Sequence, residues 1–265
     1  MEIKLTPQAY KSVEQEYDID RGYSAQHQSA RANFQRSSVL SDTELKQNGL
    51  IKRPCFTAPE CADLCEKFKN GLADEFDRDY AVELLERIIT PEIDREIISY
   101  FESEYAPIKS GFLVAQPNEE LDVSDGWHCD AGPAKFLRIM VYFTGSEDGG
   151  ANTLFCDRGS TDRLKEVGYV FCELRYRMLD LDPLTDALDM ERATIIELDI
   201  QPGDVILFAA SSILHRRLVP KQAPRYVFTA TLIPSMLSWR EVTAAGHLPM
   251  SLEPESFPPL PGYAK

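Results

Sequence analysis

The sequence predicts a mainly β protein, an antiparallel jelly roll with flanking helices packed on one outer face. Two observations support this prediction. Helical patterns come first in the chain, and about eight short segments rich in β-branched and aromatic residues follow them. Gly, Pro, Asn and Asp separate these segments, as expected where strands end in turns. Helices followed by a series of short strands are typical of this architecture.

A polar amino-terminal arm, residues 1–40, precedes the helical part and has room for one short helix. Four helical patterns follow, each marked by a capping residue, by a proline in the first turn or by apolar residues at helical spacing. They cover a stretch from Ser41 or Asp42 to Gly49, a stretch that Thr57 opens with Pro59 in its first turn, residues 80–90 and residues 92–106. Pro91 separates the last two of these patterns.

The strand-forming segments complete a single predicted domain over residues 41–240. They are residues 110–117, 126–130, 135–145, 152–157, 194–200, 203–210, 215–219 and 225–233. A more helical insert, residues 157–194, interrupts them and is a candidate wall or lid for a cavity. The tail, residues 241–265, is rich in proline and is expected to lie extended on the surface or on a partner subunit, which makes a homodimer possible.

Composition excludes several classes of function. The formal net charge is -15 and the sequence pI is about 4.7, which argues against a nucleic-acid partner because phosphate binding needs concentrated Lys and Arg. The chain has no apolar run long enough for a membrane span and no signal-peptide pattern at its start. Its six cysteines include no CxxC pair. We therefore expect a cytoplasmic protein with reduced thiols.

The segment DGWHCDAG, residues 125–132, places His128 and Asp130 two positions apart. On a strand these side chains project to one face, whereas Cys129 projects to the other. The pair is either half of a metal site or two polar residues near a turn, and a metal site needs a third ligand. His215 is the best placed, because it follows a buried apolar strand that a jelly roll brings next to an early one. We expect His27 to be a solvated surface residue and His247 to be structural.

Two arginines are candidates for cavity cations. Arg225 begins a strand on which it shares a face with Val227, Thr229 and Thr231, so it either projects into the barrel or forms a salt bridge at the rim. In the barrel it would need a buried anion, and a dicarboxylate would satisfy it through a bidentate pair. Arg138 lies on the face of its strand opposite an apolar one, and the assignment of that face to the cavity stays open.

These residues together resemble the iron(II)/2-oxoglutarate-dependent dioxygenases, in particular the phytanoyl-CoA dioxygenase-like and prolyl-4-hydroxylase-like groups. The resemblance rests on the HCD segment, on His215, on Arg225 ten residues later and on the segments NGLIKRPCFTAPECADLCEKF and VYFTGSEDGGANTLF. It covers roughly residues 45–235 in the same order along the chain. It implies a double-stranded β-helix, the cupin-like form of the jelly roll.

The resemblance also implies cofactors and roles. Iron would be bound by His128, Asp130 and His215, and the distal carboxylate of the cosubstrate 2-oxoglutarate by Arg225. The family often has Ser or Thr two residues after this arginine, where the chain has Val227, so Thr229 is the alternative hydroxyl. Further candidates are Tyr142 for the cosubstrate and Arg138, Trp127 and Thr153 for the substrate cavity.

With O2, such a centre would decarboxylate 2-oxoglutarate and hydroxylate a small or amino-acid-like molecule, or oxidise one of its C–H bonds in a related way. Two alternatives stay open at the level of sequence. One is a cupin-like metal enzyme that does not use 2-oxoglutarate. The other is a catalytically silent β-helix used for binding.

Overall fold

The computed structural model describes residues 23–36, 42–69, 78–121, 124–130, 135–149, 152–170 and 177–246. Its helices are α1 (Tyr23–Ala32), α2 (Glu44–Asn48), α3 (Ala58–Lys67), α4 (Arg78–Ile88), α5 (Pro91–Phe101), α6 (Ser146–Gly149), α7 (Arg158–Glu166), α8 (Asp182–Ala187) and α9 (Trp239–Ala244). Its strands are β1 (Leu50–Pro54), β2 (Glu104–Ala115), β3 (Leu137–Tyr142), β4 (Thr153–Cys156), β5 (Ile195–Glu197), β6 (Asp204–Phe208), β7 (His215–Arg217) and β8 (Arg225–Ser235). Within these ranges no helix is both long and apolar enough to cross a membrane.

The strands form two antiparallel sheets. The larger has the order β1-β6-β3-β8-β2 and the smaller the order β5-β4-β7. Next to β7, His128 forms an isolated antiparallel bridge with His215, so the predicted strand over 126–130 is a single bridge. Residues from both sheets line one cavity, which therefore lies between the sheets. This arrangement is the jelly roll that the sequence predicts.

The helical part follows the predicted boundaries closely. Thr57 caps α3 in a capping box with Glu60, whereas Thr43, rather than the predicted Ser41 or Asp42, occupies the N-cap position of α2 and makes no side-chain capping hydrogen bond. Gly49 ends α2 in the left-handed conformation with φ 71°. A side chain there would also place a Cβ 2.7 Å from Ile213, so glycine is required both by the backbone and by the packing.

The fourth predicted helix, residues 92–106, is wrong at its carboxyl end. The helix α5 ends at Phe101, Glu102 adopts the left-handed conformation with φ 55°, and β2 begins at Glu104. The apolar spacing continues through this junction because Tyr105 and Ala106 are buried as members of a strand instead. Burial alone cannot distinguish a helix from a strand over such a short stretch.

The main core lies between the helices and the larger sheet. On β3, the predicted apolar face of Leu137, Ile139 and Val141 is fully buried in this core. A second cluster packs the insert, residues 157–194, onto the smaller sheet; its members include Trp127, Cys129, Cys156, Leu164, Tyr169, Leu181, Leu184 and Leu214. None of the described residues of the insert lines the cavity, and its role as a wall or lid stays a prediction.

The predicted division into an arm, one domain and a tail stays a prediction. The helix α1 lies in the polar arm and packs against β8, and His27 forms a hydrogen bond of 2.8 Å with the carbonyl of Phe101. At the other end, α9 runs across the expected boundary at residue 240. His247 and the rest of the tail lie outside the described residues.

Candidate metal centre

Backbone pairing brings His128 and His215 side by side. The amide of each residue donates to the carbonyl of the other, at 3.0 and 2.9 Å, and the centroids of the two rings lie 4.6 Å apart. Asp130 is two residues beyond His128, so its side chain projects to the same side of this short extended segment. The fold thus joins one histidine from an early segment to another 87 positions later, from residue 128 to residue 215.

Backbone carbonyls fix the orientation of both imidazole rings. The Nδ1 atom of His128 lies 2.7 Å from the carbonyl of Gly126, and that of His215 lies 3.0 Å from the carbonyl of Ile213. If each Nδ1 carries the proton and donates it to the carbonyl, the Nε2 lone pairs are free. These Nε2 atoms lie 3.4 and 3.5 Å from Oδ1 of Asp130. The three donor atoms lie within 4.8 Å of one another.

The local electrostatics favour the protonation states that a metal requires. Burial lowers the pKa of His128, which keeps the ring neutral with a free lone pair. Burial alone would raise the pKa of Asp130, but the guanidinium of Arg138 opposes this shift, and the pKa lies well below its usual value. Metals bind neutral imidazole and ionised carboxylate. The three residues therefore fit a divalent metal, and two His with one carboxylate is the donor set of non-haem Fe(II) sites.

A cavity of about 400 Å³ opens beside the triad. Its polar lining residues include Ser124, Arg138, Thr153, Arg217 and Arg225, and its apolar ones include Leu113, Val114, Met140, Phe208 and Val227. Arg138 and Arg225 both face it, which decides the alternatives that the sequence leaves open for these two side chains. A volume of this size suits a small-molecule ligand.

Arg225 is a buried cation at one end of the cavity, with 5% of its surface exposed. Its Nη1 atom donates to the carbonyl of Leu218 at 3.1 Å, and no carboxylate among the described residues forms an ion pair with it. Burial lowers the pKa of the guanidinium, as expected for a cation removed from water. A buried arginine without a carboxylate partner has donors available for an anionic ligand.

Of the other cosubstrate candidates, Tyr142 lies near Arg225, whereas Thr229 lies opposite Met140, four positions along β8 from Arg225. The hydroxyl of Tyr142 and the Oγ1 atom of Thr153 are 2.7 Å apart and hydrogen-bonded. Burial raises the pKa of Tyr142, although the nearby charge of Arg225 opposes the shift. The Oγ1 atom of Thr229 is buried and has no hydrogen-bond partner in the described part of the chain. An unsatisfied buried hydroxyl of this kind suits a site that a polar ligand completes.

Trp127 requires a correction. It is a cavity candidate from the sequence, but the structure buries it in the second core cluster with Cys129. The alternation that turns His128 and Asp130 towards the metal site turns both neighbours away from it. The expectation that Cys129 packs on the far side of the segment is confirmed by the same cluster.

Arg217 also lines the cavity, and the sequence does not single it out. Arg217 donates from Nε and Nη2 to the two carboxylate oxygens of Asp125, each at 3.0 Å, and from Nη1 to Glu119. Its own amide donates to the carbonyl of Ser124 at 2.8 Å. Arg217 therefore links the loop before His128 to β7, the strand that carries His215. The available signal was the HRR triplet, in which the residue two positions after a ligand shares its face.

Comparison with known proteins identifies the fold. No family model matches the chain, and no curated protein sequence matches it. Among solved structures, EctD from S. alaskensis with bound Fe is 16% identical with a TM-score of 0.53, covering 75% of this chain and 75% of that chain. The same protein with 2-oxoglutarate and 5-hydroxyectoine is 15% identical with a TM-score of 0.52 at the same coverage.

The epimerase SnoN in complex with Fe3+, alpha ketoglutarate and nogalamycin RO is 13% identical with a TM-score of 0.52, covering 90% of this chain and 96% of that chain. SnoN is described as a non-heme, alpha ketoglutarate dependent epimerase. At these identities the likeness concerns the fold. The chain has the fold of non-haem iron, 2-oxoglutarate-dependent enzymes, which confirms the predicted resemblance at that level.

Proposed function

We propose that the chain is an Fe(II)- and 2-oxoglutarate-dependent oxygenase that hydroxylates a small molecule or oxidises one of its C–H bonds in a related way. One observation carries the proposal. One cavity between the two sheets is lined both by the metal donor set, which is His128, Asp130 and His215, and by Arg225. Arg225 is a buried cation that has no carboxylate partner among the described residues. Solved structures of the same fold contain iron, 2-oxoglutarate or both, which supports the choice of cofactors.

The triad would hold Fe(II), and Arg225 would bind the distal carboxylate of 2-oxoglutarate through two parallel hydrogen bonds. When bound, iron with 2-oxoglutarate and O2 supplies oxidation of a C–H bond coupled to conversion of 2-oxoglutarate into succinate and CO2. The carbonyl anchors on both imidazoles hold the metal-facing lone pairs in place. Tyr142 and Thr229 are the candidates for a neutral contact beside the cosubstrate.

The apolar wall of the cavity contributes by excluding water from the site. Met140, Phe208 and Val227 face it from the larger sheet. In this environment the attraction between Arg225 and a carboxylate is stronger than it would be in bulk water. The same wall offers an apolar surface for the substrate. The protein therefore positions the substrate beside the metal site and keeps water out of the cavity.

Two further expectations remain proposals. The five described cysteines are free thiols, which supports the expected cytoplasmic location. A homodimer stays a prediction.

The proposal can be tested by anaerobic titration of the purified protein with Fe(II) and then 2-oxoglutarate. We expect a weak visible charge-transfer band and, in air with substrate, succinate formation. Arg225→Met should weaken 2-oxoglutarate binding about 30-fold or more, because one partner of a buried charge pair is removed. Arg192→Met is the matched control, since this arginine is exposed and pairs with Asp182 outside the cavity.

Each alternative predicts a different result. Iron binding and activity that do not depend on 2-oxoglutarate, with Arg225→Met unchanged, would indicate a cupin-like metal enzyme. Absence of a charge-transfer band, together with no loss of iron binding in His128→Ala, would indicate a silent β-helix. Either result would overturn the proposed function.

A further inference from the structure

Arg138 is a cavity cation that the proposed cofactors do not use. Its Nη2 atom donates to Oδ2 of Asp130 at 2.6 Å, whereas its Nε atom is buried and has no hydrogen-bond partner in the described part of the chain. A guanidinium carries five N–H donors, so this contact leaves most of them available. The other two cavity arginines are accounted for, because Arg217 pairs with acidic residues and Arg225 is assigned to 2-oxoglutarate.

The register of the larger sheet separates Arg138 from Arg225. Arg138 lies opposite Thr231, which is six positions along β8 from Arg225. At about 3.4 Å per residue, the backbones at these two positions are about 20 Å apart along the strand. Arg138 also touches the Asp130 carboxylate, on the triad side of the cavity. The two cations therefore lie at separate positions along the cavity, and Arg138 is the one in contact with the triad.

The chemistry of this region selects the ligand. A planar guanidinium with free donors matches a carboxylate. The nearby charge of Asp130 opposes a second negative charge on the ligand, which disfavours phosphates. Met140, two positions after Arg138 on β3, and Phe208, opposite Arg138 on β6, line the cavity and offer an apolar surface. The favoured ligand is therefore a small molecule with one carboxylate and an apolar body.

We propose that Arg138 binds the carboxylate of the primary substrate, and that this substrate is a small apolar monocarboxylic acid. The inference rests on the proposed function, because it assumes that 2-oxoglutarate occupies the Arg225 end. Arg138 is then a specificity-determining residue. It would hold the substrate beside the triad through donors that Asp130 does not use.

The test is calorimetric titration, without oxygen, of the iron-loaded protein in the presence and absence of 2-oxoglutarate. The probes are phenylacetate and hexanoate, each compared with its uncharged amide. The variants are Arg138→Gln, Arg138→Lys and the control Arg192→Gln. Iron content and circular dichroism of each variant show whether the triad and fold survive, since Arg138 touches a proposed metal ligand.

We expect the wild type and Arg192→Gln to bind at least one acid roughly 10- to 100-fold more tightly than its amide, the range for a charge-assisted contact. Arg138→Gln should lose this preference. Arg138→Lys keeps the charge beside Asp130, so it should retain iron and part of the preference. Equal binding of acid and amide by the wild type, or an undiminished preference in Arg138→Gln, would overturn the proposal.

Titration with 2-oxoglutarate separates this inference from the proposed function. Arg138→Gln should change the Kd for 2-oxoglutarate by less than about threefold, within 1 kcal/mol. A loss as large as that expected of Arg225→Met would assign Arg138 to the cosubstrate and refute the substrate assignment. Failure of the wild type to bind 2-oxoglutarate would refute the proposed function instead, and the acid preference could still be measured without it.

Discussion

Replacing Arg217 with methionine should lower the free energy of unfolding by about 3 kcal/mol. Breaking a buried ion pair by removing one partner typically costs about 3–5 kcal/mol, because the other charge stays buried without compensation. Here the side chain of Asp125 is 1% exposed, whereas those of Arg217 and Glu119 are 20% and 27% exposed. Solvent screens the outer part of this cluster, so we expect the lower end of the range.

The measurement is urea unfolding of four proteins: the wild type, Arg217→Met, Asp125→Asn and the double variant. In a protein of this size, a loss of 3 kcal/mol also corresponds to a decrease in Tm of about 6–12 °C. The double variant should lose less stability than the sum of the two single losses, since it leaves no isolated charge at the buried position of Asp125. Two results would refute the stabilising role of this ion pair. One is a loss below about 1 kcal/mol in Arg217→Met, and the other is a loss in the double variant equal to the sum of the two single losses.

Three further outcomes are expected. Asp130→Ala should reduce Fe(II) affinity by about 100-fold or more in equilibrium dialysis, because it removes the only carboxylate of the donor set within the described residues; unchanged affinity would exclude the proposed triad. Phe228→Ala should destabilise the fold by about 3–5 kcal/mol in urea, since this ring is fully buried, whereas Leu121→Ala, at a side chain 62% exposed, should stay within about 0.5 kcal/mol. Burial raises the pKa of Cys156 to about 12, so at pH 8 only about one thiol in ten thousand is ionised; mass spectrometry should find it unmodified by iodoacetamide in the native protein and modified in urea.

The parts of the fold that sequence predicts well are those governed by a single local rule. Alternation along β3 assigns Leu137, Ile139 and Val141 to the core, and the capping box at Thr57 marks the start of α3. In both cases neighbouring residues in the chain carry the whole signal. The carboxyl end of α5 is different, because β2 follows after only two residues and buries Tyr105 as the helix would have done.

The candidate site shows the same division. His128 and Asp130 are recognisable as a pair because they are neighbours on one face, and His215 is suggested by the apolar strand before it. Arg217 was missed because its partners, Asp125 and Glu119, are more than ninety positions away in the chain. Nothing local distinguishes an arginine that fastens two segments from an arginine at a solvated surface. Only the tertiary structure brings these charges together.

The balance of charge in the cavity favours a substrate with one negative charge. Arg217 and Asp125 neutralise each other, and Glu119, which is 27% exposed and does not line the cavity, is screened by solvent, so the cavity lining retains the positive charges of Arg138 and Arg225 and the negative charge of Asp130. A divalent metal and the dicarboxylate 2-oxoglutarate cancel each other, which leaves one net positive charge at the site. A substrate with a single carboxylate removes this excess, whereas a neutral substrate leaves Arg138 with Asp130 alone. Monocarboxylates should therefore still bind more tightly than their amides when iron and 2-oxoglutarate are both present, and equal affinity for the acid and its amide in that state would contradict this balance of charge.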